Sequence, residues 1–255
     1  MNTIEVFSGT KSFSKVAKEF KHDTFTIDNN KELEPDQCAD FLQLPIIDFV
    51  NEKWDVAWFS PPCTSFSVSS FSKHFGGGVG KYIPKTEEAK QGLALLERTI
   101  RFIAEVKPRY WFIENPRGLM RKLITPLLLK YKIRPYKQVT LSYCQYGEKR
   151  QKPTDIWTNC IEWYPKKMCS SGSTCHEYQP RGYSAKKAFN CLGKGTQGLK
   201  DAKERGAIPP KLFVEIFKSI NKKEGLQEEK IAHNGIPPNS KELGILPTIL
   251  WRLKT

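Results

Sequence analysis

Short apolar runs alternate with segments of helical periodicity over residues 1–160. The apolar runs predict strands at residues 3–7, 24–28, 54–60, 109–114, 137–143 and 154–158. Residues 86–106 place apolar side chains on one helical stripe, and two more helices are predicted, one ending near Phe20 and one over residues 117–130. Strands that alternate with helices predict a mostly parallel sheet covered by helices on both faces. The expected fold class is therefore α/β.

The pattern changes after residue 158. Aliphatic runs disappear, and Cys, Lys, Gly and Ser dominate until residue 203, which predicts a small irregular insert. An amphipathic helix that begins at a proline is then predicted over residues 208–222. We divide the chain into a main domain at 1–158, the insert at 159–203, a helix at 204–225 that returns to the main domain, and a C-terminal extension at 226–255.

The charge of the chain points to a polyanionic partner. Lys and Arg total 41 against 27 Asp and Glu, a net charge of +14, and nucleic acid is the commonest soluble polyanion. A lysine-rich solubilising surface is the alternative. Apolar runs of 18 or more residues are missing, so we expect no membrane span. The N-terminus begins directly with a strand-like run, so we expect no signal peptide, a cytoplasmic location and reduced cysteines.

Two predicted strand ends carry residues suited to a nucleotide-like ligand. Ligands of parallel sheets bind at the carboxyl ends of the strands. Asp28 closes the second strand, where a carboxylate can accept hydrogen bonds from a ribose diol, although a turn aspartate is the commoner role. Phe7-Ser8-Gly9 forms the first strand-to-helix turn, but it lacks a full glycine-rich fingerprint.

Cys63 and Glu114 form a more informative pair. Cys63 follows two prolines at the end of a predicted buried strand, so the backbone holds its thiol in a defined direction. A cysteine there becomes a nucleophile once its pKa is lowered, and a buried structural cysteine is the alternative. Glu114 ends the next strand. A thiolate beside a carboxylic acid suits attack on a heteroaromatic ring whose nitrogen is hydrogen-bonded by the acid.

Residues 60–67 (Ser-Pro-Pro-Cys-Thr-Ser-Phe-Ser) and 114–116 (Glu-Asn-Pro) resemble the central motifs of the DNA cytosine-C5 methyltransferases. Residues 7–9 are similar to that family's first cofactor motif. Residues 146–153 lie where a basic Gln/Arg motif is expected, and residues 207–212 resemble the last motif. The motifs keep the family's order over nearly the whole chain, which thus resembles a small member with a short target-recognition region.

The resemblance implies a Rossmann-like fold that uses S-adenosyl-L-methionine to methylate C5 of a cytosine flipped out of DNA. The Cys63 thiolate would attack C6 while Glu114 hydrogen-bonds N3 and the exocyclic amine. The implied catalytic residues are Cys63, Glu114, Arg150 and Lys152. The implied cofactor-binding residues are Phe7, Ser8, Gly9, Asp28, Asp40 and Pro61.

The chain departs from the family pattern at three places. Thr10-Lys11-Ser12 follow Gly9, where the family usually has more glycines. The Gln/Arg motif is altered, and Arg150 and Lys152 are its nearest basic residues. Arg205-Gly206 stand where the family usually has Gly-Asn, which puts the cofactor contact there in doubt.

DNA contacts are expected in two segments. Residues 68–85 follow the cysteine motif and contain four glycines, which suits a lid that closes over flipped DNA. The insert at 159–203 lies where the family places target recognition, and its many lysines favour phosphate contacts. Because the insert is short, we expect a short or relaxed recognition sequence. The predicted DNA-binding residues are Ser67, Lys81, Arg181, Lys186 and Lys187.

The insert also contains candidate metal ligands. Structural zinc could take four of its side chains, which are Cys160, Cys169, Cys175, His176 and Cys191. The spacing is irregular and has no CxxC pair, so reduced buried thiols are favoured and no metal is assigned.

Other functions stay open on the sequence alone. An enzyme of the same fold that acts on RNA cytosine has the same motifs. A non-catalytic DNA-binding protein on a degenerate scaffold fits the altered basic motif but not the intact Cys63 and Glu114. A thiol-redox enzyme explains Cys63 but not the charge. The expected partner is double-stranded DNA, bound by a monomer in the cytoplasm of a bacterium or of a virus-infected cell.

Overall fold

A computed structural model describes residues 1–68, 70–78, 80–170, 173–177 and 202–225. Its strands are β1 (Asn2–Val6), β2 (Asp23–Asp28), β3 (Gln37–Cys38), β4 (Val56–Phe59), β5 (Phe75–Gly76), β6 (Ile83–Pro84), β7 (Tyr110–Pro116), β8 (Lys137–Ser142) and β9 (Pro153–Thr158). Its helices are α1 (Ser12–Glu19), α2 (Ile47–Val50), α3 (Phe71–His74), α4 (Glu87–Val106), α5 (Met120–Lys130), α6 (Ala202–Gly206) and α7 (Pro210–Lys223). The predicted DNA contacts Arg181, Lys186 and Lys187 and the candidate ligand Cys191 lie outside the described residues.

Seven strands form one sheet in the order β3-β2-β1-β4-β7-β9-β8. Neighbours from β3 to β7 are parallel, whereas β9 runs antiparallel to both β7 and β8. The predicted α/β class with a mostly parallel sheet is confirmed. The strand order reverses between β1 and β4, which run next to each other, so their carboxyl ends open the crevice in which such sheets bind ligands.

The side chains of β4 show how the sheet separates two cores. Val56 and Trp58 point into the core formed with α1 and α7, and Ala57 and Phe59 point into the core formed with α4 and α5. Trp58 stacks on Phe13 of α1, with ring centroids 5.9 Å apart. All four β4 residues are fully buried because both faces of the sheet are covered. This explains why the strand is a continuous apolar run.

The predicted helix at 86–106 is present as α4, with a boundary set by its caps. The Thr86 side chain accepts a hydrogen bond from the N–H of Ala89, and Lys107 ends the helix in the left-handed conformation.

Residues 159–170 and 173–177 of the insert contain no helix or strand. No helix in the described part of the chain combines the length and apolar character that a membrane crossing needs.

Glu5 joins the first strand to the first helix. Its buried carboxylate accepts hydrogen bonds from the N–H groups of Phe13 (3.2 Å) and Ser14 (2.9 Å), in the first turn of α1. These N–H groups have no partner inside the helix, so the carboxylate satisfies them. Burial nevertheless raises the pKa of Glu5 to about 7, because the charged form loses its hydration.

We expect Glu5 to lower the stability of the protein as the pH rises from 4.5 to about 7. The pKa is about 7 in the fold and 4.5 in an unperturbed glutamate, so the contribution of the neutral carboxyl is complete below pH 4.5 and is lost as the pH rises through 7. The loss should be about 3 kcal/mol. Urea unfolding of the wild type and of Glu5→Gln over this range measures it. A stability difference between the two proteins that does not change with pH would contradict the assignment.

Candidate active site

Cys63 lies in a tight loop just beyond the carboxyl end of β4. Its carbonyl oxygen accepts hydrogen bonds from the N–H groups of Phe66 (3.0 Å) and Ser67 (3.1 Å), which turns the chain back toward α4. The Asn115 side chain donates to the carbonyl oxygen of Pro61 (2.9 Å), so the end of β7 holds the two prolines. The Cys63 side chain is half-buried at the point where β4 and β7 end side by side.

Two glycines let neighbouring elements approach this loop. Gly92 on α4 faces the loop, and a Cβ there would lie 2.8 Å from Ser65 Oγ and 3.2 Å from the ring of Phe66. Gly118 follows β7, and a Cβ there would overlap the carbonyl oxygen of Phe66. That oxygen accepts the N–H of Leu119 at 2.8 Å. The loop therefore rests on two surfaces that have no room for a side chain.

Glu114 is buried in β7, and several donors point at its carboxyl group. The Tyr143 hydroxyl donates to Oε1 at 2.7 Å, and the Ser60 hydroxyl donates to the same carboxyl group. Ser60 is oriented by the Trp58 indole N–H, which donates to its oxygen at 2.8 Å. Burial raises the pKa of Glu114, and its hydrogen bonds and the nearby charge of Lys152 offset only part of that rise. The Glu114 carboxyl is thus fixed at the end of the sheet, where it can hydrogen-bond a bound ring.

Lys152 brings a positive charge to the same end of the sheet. Its ammonium group donates to the carbonyl oxygen of Arg205 (3.0 Å) and lies 4.7 Å from the centroid of the Tyr143 ring. Burial lowers the pKa of Lys152, and the charges of Glu114 and Cys63 oppose that shift. Burial also raises the pKa of the Cys63 thiol, and Lys152 is the main group that opposes this rise. Lys152 can therefore stabilise a Cys63 thiolate.

Arg150 has a different environment from Lys152. Its guanidinium is buried, pairs with the Glu148 carboxylate at 2.8 Å and donates to the carbonyl oxygen of Arg205 at 3.1 Å. These bonds join the loop at 147–153 to the chain that leads into α7. The hydrogen bonds recorded for Arg150 thus hold this loop and do not reach the Cys63 thiol or the Glu114 carboxyl.

The predicted cofactor residues lie at the carboxyl ends of neighbouring strands, and Phe7, Ser8, Gly9 and Asp28 lie at the ends of β1 and β2. Phe7 and Gly9 both have positive φ, 59° and 47°, which turns the chain sharply into α1. Asp28 fixes this turn, since its carboxylate accepts the N–H of Gly9 and the N–H of Asn30, each at 2.9 Å. Ser8 is buried, and its hydroxyl has no hydrogen-bond partner among the described residues.

Asp40 and Pro61 lie just beyond the ends of β3 and β4. Asp40 is exposed, and its carboxylate accepts the N–H of Leu42 at 3.0 Å. The neighbouring Phe41 packs edge-on against Phe7, with ring centroids 5.2 Å apart. Pro61 is buried directly after β4. Five of the six predicted cofactor residues therefore follow β1, β3 or β4, and Asp28 is the last residue of β2.

The predicted lid contains a short hairpin, β5 with β6, preceded by α3. Gly77, Gly78 and Gly80 have positive φ at its turn, which other residues rarely adopt. The predicted DNA contact Ser67 shares a hydrogen bond with Ser70 (2.6 Å) at the base of this segment, and Lys81 is exposed at its tip. Exposed apolar side chains lie along the segment, and they are Val68, Phe71 and Ile83.

No protein-family model matches the chain. A curated protein of Frog virus 3 (isolate Goorha), named "Probable DNA (cytosine-5)-methyltransferase", is 29% identical over 225 residues, and the match covers 85% of this chain and 99% of that protein. This chain is therefore similar to a DNA (cytosine-5)-methyltransferase over most of its length.

Solved structures of methyltransferases are also similar to this chain. The Entamoeba histolytica methyltransferase EhMeth is 20% identical with a TM-score of 0.46, covering 62% of this chain and 52% of its own. The S. pombe Dnmt2 methyltransferase is 18% identical with a TM-score of 0.46, covering 62% of this chain and 50% of its own. The chain thus spans about half the length of these two solved proteins.

The sequence did not reveal the role of Tyr143. This residue ends the predicted strand at 137–143, but that strand pairs with β9 and not with β7, so its proximity to Glu114 depends on the antiparallel edge of the sheet. The one signal in the sequence for Tyr143 is that a polar residue stands at the end of a predicted strand. The backbone carbonyl of Arg205, which binds both Lys152 and Arg150, has no sequence signal at all.

We expect Lys152→Met to raise the pKa of Cys63 further, because the charge that opposes burial is removed. Iodoacetamide alkylation of Cys63, followed by peptide mass spectrometry across a pH series, measures this pKa. Lys90→Met is the matched control, since Lys90 is exposed and pairs only with Glu87 of its own helix. A Cys63 pKa that is unchanged or lowered in Lys152→Met would contradict the role given to this lysine.

Proposed function

We propose that this protein transfers a methyl group from S-adenosyl-L-methionine to C5 of cytosine in double-stranded DNA. One arrangement carries the proposal: Cys63, Glu114 and Lys152 meet at the carboxyl ends of β4 and β7. The turn of Phe7 and Gly9 and the Asp28 carboxylate lie at the ends of the adjacent strands β1 and β2. A nucleophile, an acid and a cation beside such strand ends suit group transfer onto a heteroaromatic ring.

The residues at the ends of β1, β2 and β3 suit an adenosine-containing cofactor. Each carboxylate oxygen of Asp28 accepts one backbone N–H and keeps a lone pair with which it can accept a ribose hydroxyl. The unpartnered Ser8 hydroxyl and the exposed Asp40 carboxylate offer further polar contacts. S-adenosyl-L-methionine would supply an electrophilic methyl group on a positively charged sulfur.

Cys63 would begin the reaction on the cytosine ring. Lys152 stabilises the thiolate, whose electron pair forms the bond to C6, while the electrons of the C5=C6 double bond move toward C5. Glu114 donates its proton toward N3 and so stabilises the charge gained by the ring. The hydroxyl of Tyr143 keeps the Glu114 carboxyl in place. Once C5 carries the methyl group, loss of its proton restores the double bond and expels the Cys63 thiolate.

The base must leave the duplex before Cys63 can reach C6. Flipping costs a few kcal/mol, which contacts with the lid and the insert would offset. Val68 and Ile83, 67% and 54% exposed, offer apolar surface to a distorted duplex, and Lys81 offers a charge to the backbone. The proposed contacts of the insert, Arg181, Lys186 and Lys187, lie outside the described residues. We propose a monomer that acts in the cytoplasm of a bacterium or an infected cell.

The choice of substrate is tested with a labelled methyl donor. The protein is incubated separately with plasmid DNA and with single-stranded and folded RNA of matched cytosine content, and modified cytosines are mapped by sequencing. Label at C5 of DNA cytosines is expected. Label found in RNA but not in DNA would replace DNA by RNA as the substrate, and no label in either, from a protein that binds DNA, would favour a non-catalytic role.

We expect Cys63→Ser to abolish methyl transfer while cofactor and DNA binding persist, because a hydroxyl is a far weaker nucleophile than a thiolate. Duplex DNA containing 5-fluorocytosine should trap the wild type covalently, since fluorine does not leave as the C5 proton does. Denaturing gel electrophoresis detects the adduct. Cys38→Ser, which changes an exposed thiol, is the control and should still form it. Turnover by Cys63→Ser near the wild-type rate would remove Cys63 from the mechanism.

We expect Asp28→Ala to raise the dissociation constant for S-adenosyl-L-methionine about tenfold, since one good contact is lost. Isothermal titration measures it, and DNA affinity without cofactor should stay the same. Asp48→Ala is the control, because Asp48 is an exposed acid on α2. A variant that loses DNA binding but keeps cofactor affinity would contradict the placement of Asp28.

A further inference from the structure

Four potential metal ligands meet where the insert contacts the main domain. They are Cys144, Cys169, Cys175 and His176, and their ligand atoms all lie within 4.8 Å of one another. Cys144 belongs to the 3-10 turn that follows β8, and the other three belong to the insert. Cys144 and His176 are buried, 6% and 9% exposed.

Four of the separations lie within about 0.5 Å of the edges of a metal tetrahedron. Cys144 Sγ lies 3.3 Å from Cys169 Sγ and 3.7 Å from Cys175 Sγ. His176 Nδ1 lies 3.8 Å from Cys169 Sγ and 3.5 Å from Cys175 Sγ. Tetrahedral zinc with bonds of about 2.3 Å to sulfur and about 2.0 Å to nitrogen requires sulfur–sulfur separations of about 3.8 Å and sulfur–nitrogen separations of about 3.5 Å.

Hydrogen bonds to two of the sulfurs also support a metal site. The Gln151 side-chain amide donates to Cys169 Sγ at 3.0 Å, and the Gln145 amide donates to Cys175 Sγ at 3.3 Å. In metal sites, hydrogen bonds from neighbouring residues to the ligand side chains orient those ligands. The three cysteines are free thiols, with separations well above the 2.05 Å of a disulfide bond.

We propose that Cys144, Cys169, Cys175 and His176 bind a structural zinc ion. Three thiols lose their protons on binding, and the neutral imidazole completes the set through one nitrogen. Four protein ligands leave no open position for water, so the ion has a structural role and not a catalytic one. This site stands independently of the methyl transfer proposed above.

The ligand set differs from the one considered on the sequence. Cys160 lies in the apolar core on the α1 and α7 face of the sheet and does not join the cluster, and Cys191 lies outside the described residues. Cys144 is the fourth member of the cluster, although it precedes the insert and lies in the main domain. The candidate ligands predicted from the sequence all belonged to the insert, so they did not include Cys144.

The ion would fix the insert to the loop that carries Lys152. Gln151 in that loop donates to a ligand sulfur, and the N–H of Glu177 donates to the carbonyl oxygen of Lys149 at 2.7 Å. The segment at 169–177 and the loop at 147–153 would therefore move together. Zinc in this position would hold both the recognition insert and the active-site loop in one arrangement.

The first test measures zinc in the purified full-length chain, prepared under reducing conditions without an affinity tag that binds metal. Mass spectrometry of the metal content should find about one zinc ion per chain. Cys169→Ser and Cys175→Ser should each lose most of it, whereas Cys38→Ser should keep it. Less than about a tenth of an equivalent in the wild type, or equal content in Cys169→Ser and Cys38→Ser, would overturn the proposal.

A second test uses the wild-type chain, so that it does not depend on variants that fail to fold. Replacing the metal by Co²⁺ should give the intense visible absorption of a tetrahedral thiolate site. N-ethylmaleimide should label Cys38 but spare Cys144, Cys169 and Cys175 until a zinc chelator is added. Labelling of Cys38, Cys144, Cys169 and Cys175 before the chelator is added would overturn the proposal. A disulfide among Cys144, Cys169 and Cys175, found in peptides mapped without reductant, would overturn it as well.

Discussion

Two groups of opposite charge are held away from water at one end of the sheet, and the site depends on them. Glu114 and Lys152 are both buried, and each favours the charged form of the other while burial favours the neutral form. Removing one member of such a pair leaves the other uncompensated. The supports around them follow from this cost: Tyr143 and Ser60 donate to the acid, and the carbonyl oxygen of Arg205 accepts from the lysine.

Part of this site could be predicted from the sequence because it follows from strand order alone. Cys63 and Glu114 each come after a continuous apolar run, and parallel neighbours end at the same edge, as the pairing of Phe59 with Ile113 shows. Asp28 and Gly9 meet for the same reason at the ends of β2 and β1. The general α/β class needs only the alternation of strands and helices.

The rest could not be predicted because it depends on contacts that the sequence pattern does not encode. Tyr143 reaches Glu114 only because β9 enters the sheet between β7 and β8, an order that apolar runs do not specify. Cys144 joins ligands that lie 25 or more residues later along the chain. The sequence also does not specify that the Arg150 guanidinium pairs with Glu148 and donates to the carbonyl oxygen of Arg205.

Gly92 and Gly118 have a consequence for how this chain tolerates sequence change. Neither residue needs glycine for its backbone dihedral angles; each needs it because the loop of Phe66 occupies the space where a Cβ would stand. Random variants selected only for a folded protein should thus keep glycine at these two positions. They should vary freely at Gly206, which is exposed and has nothing within 4 Å of a Cβ. The loss of variants at Gly92 and Gly118 would then identify the residues that pack against the cysteine loop, before any activity is assayed.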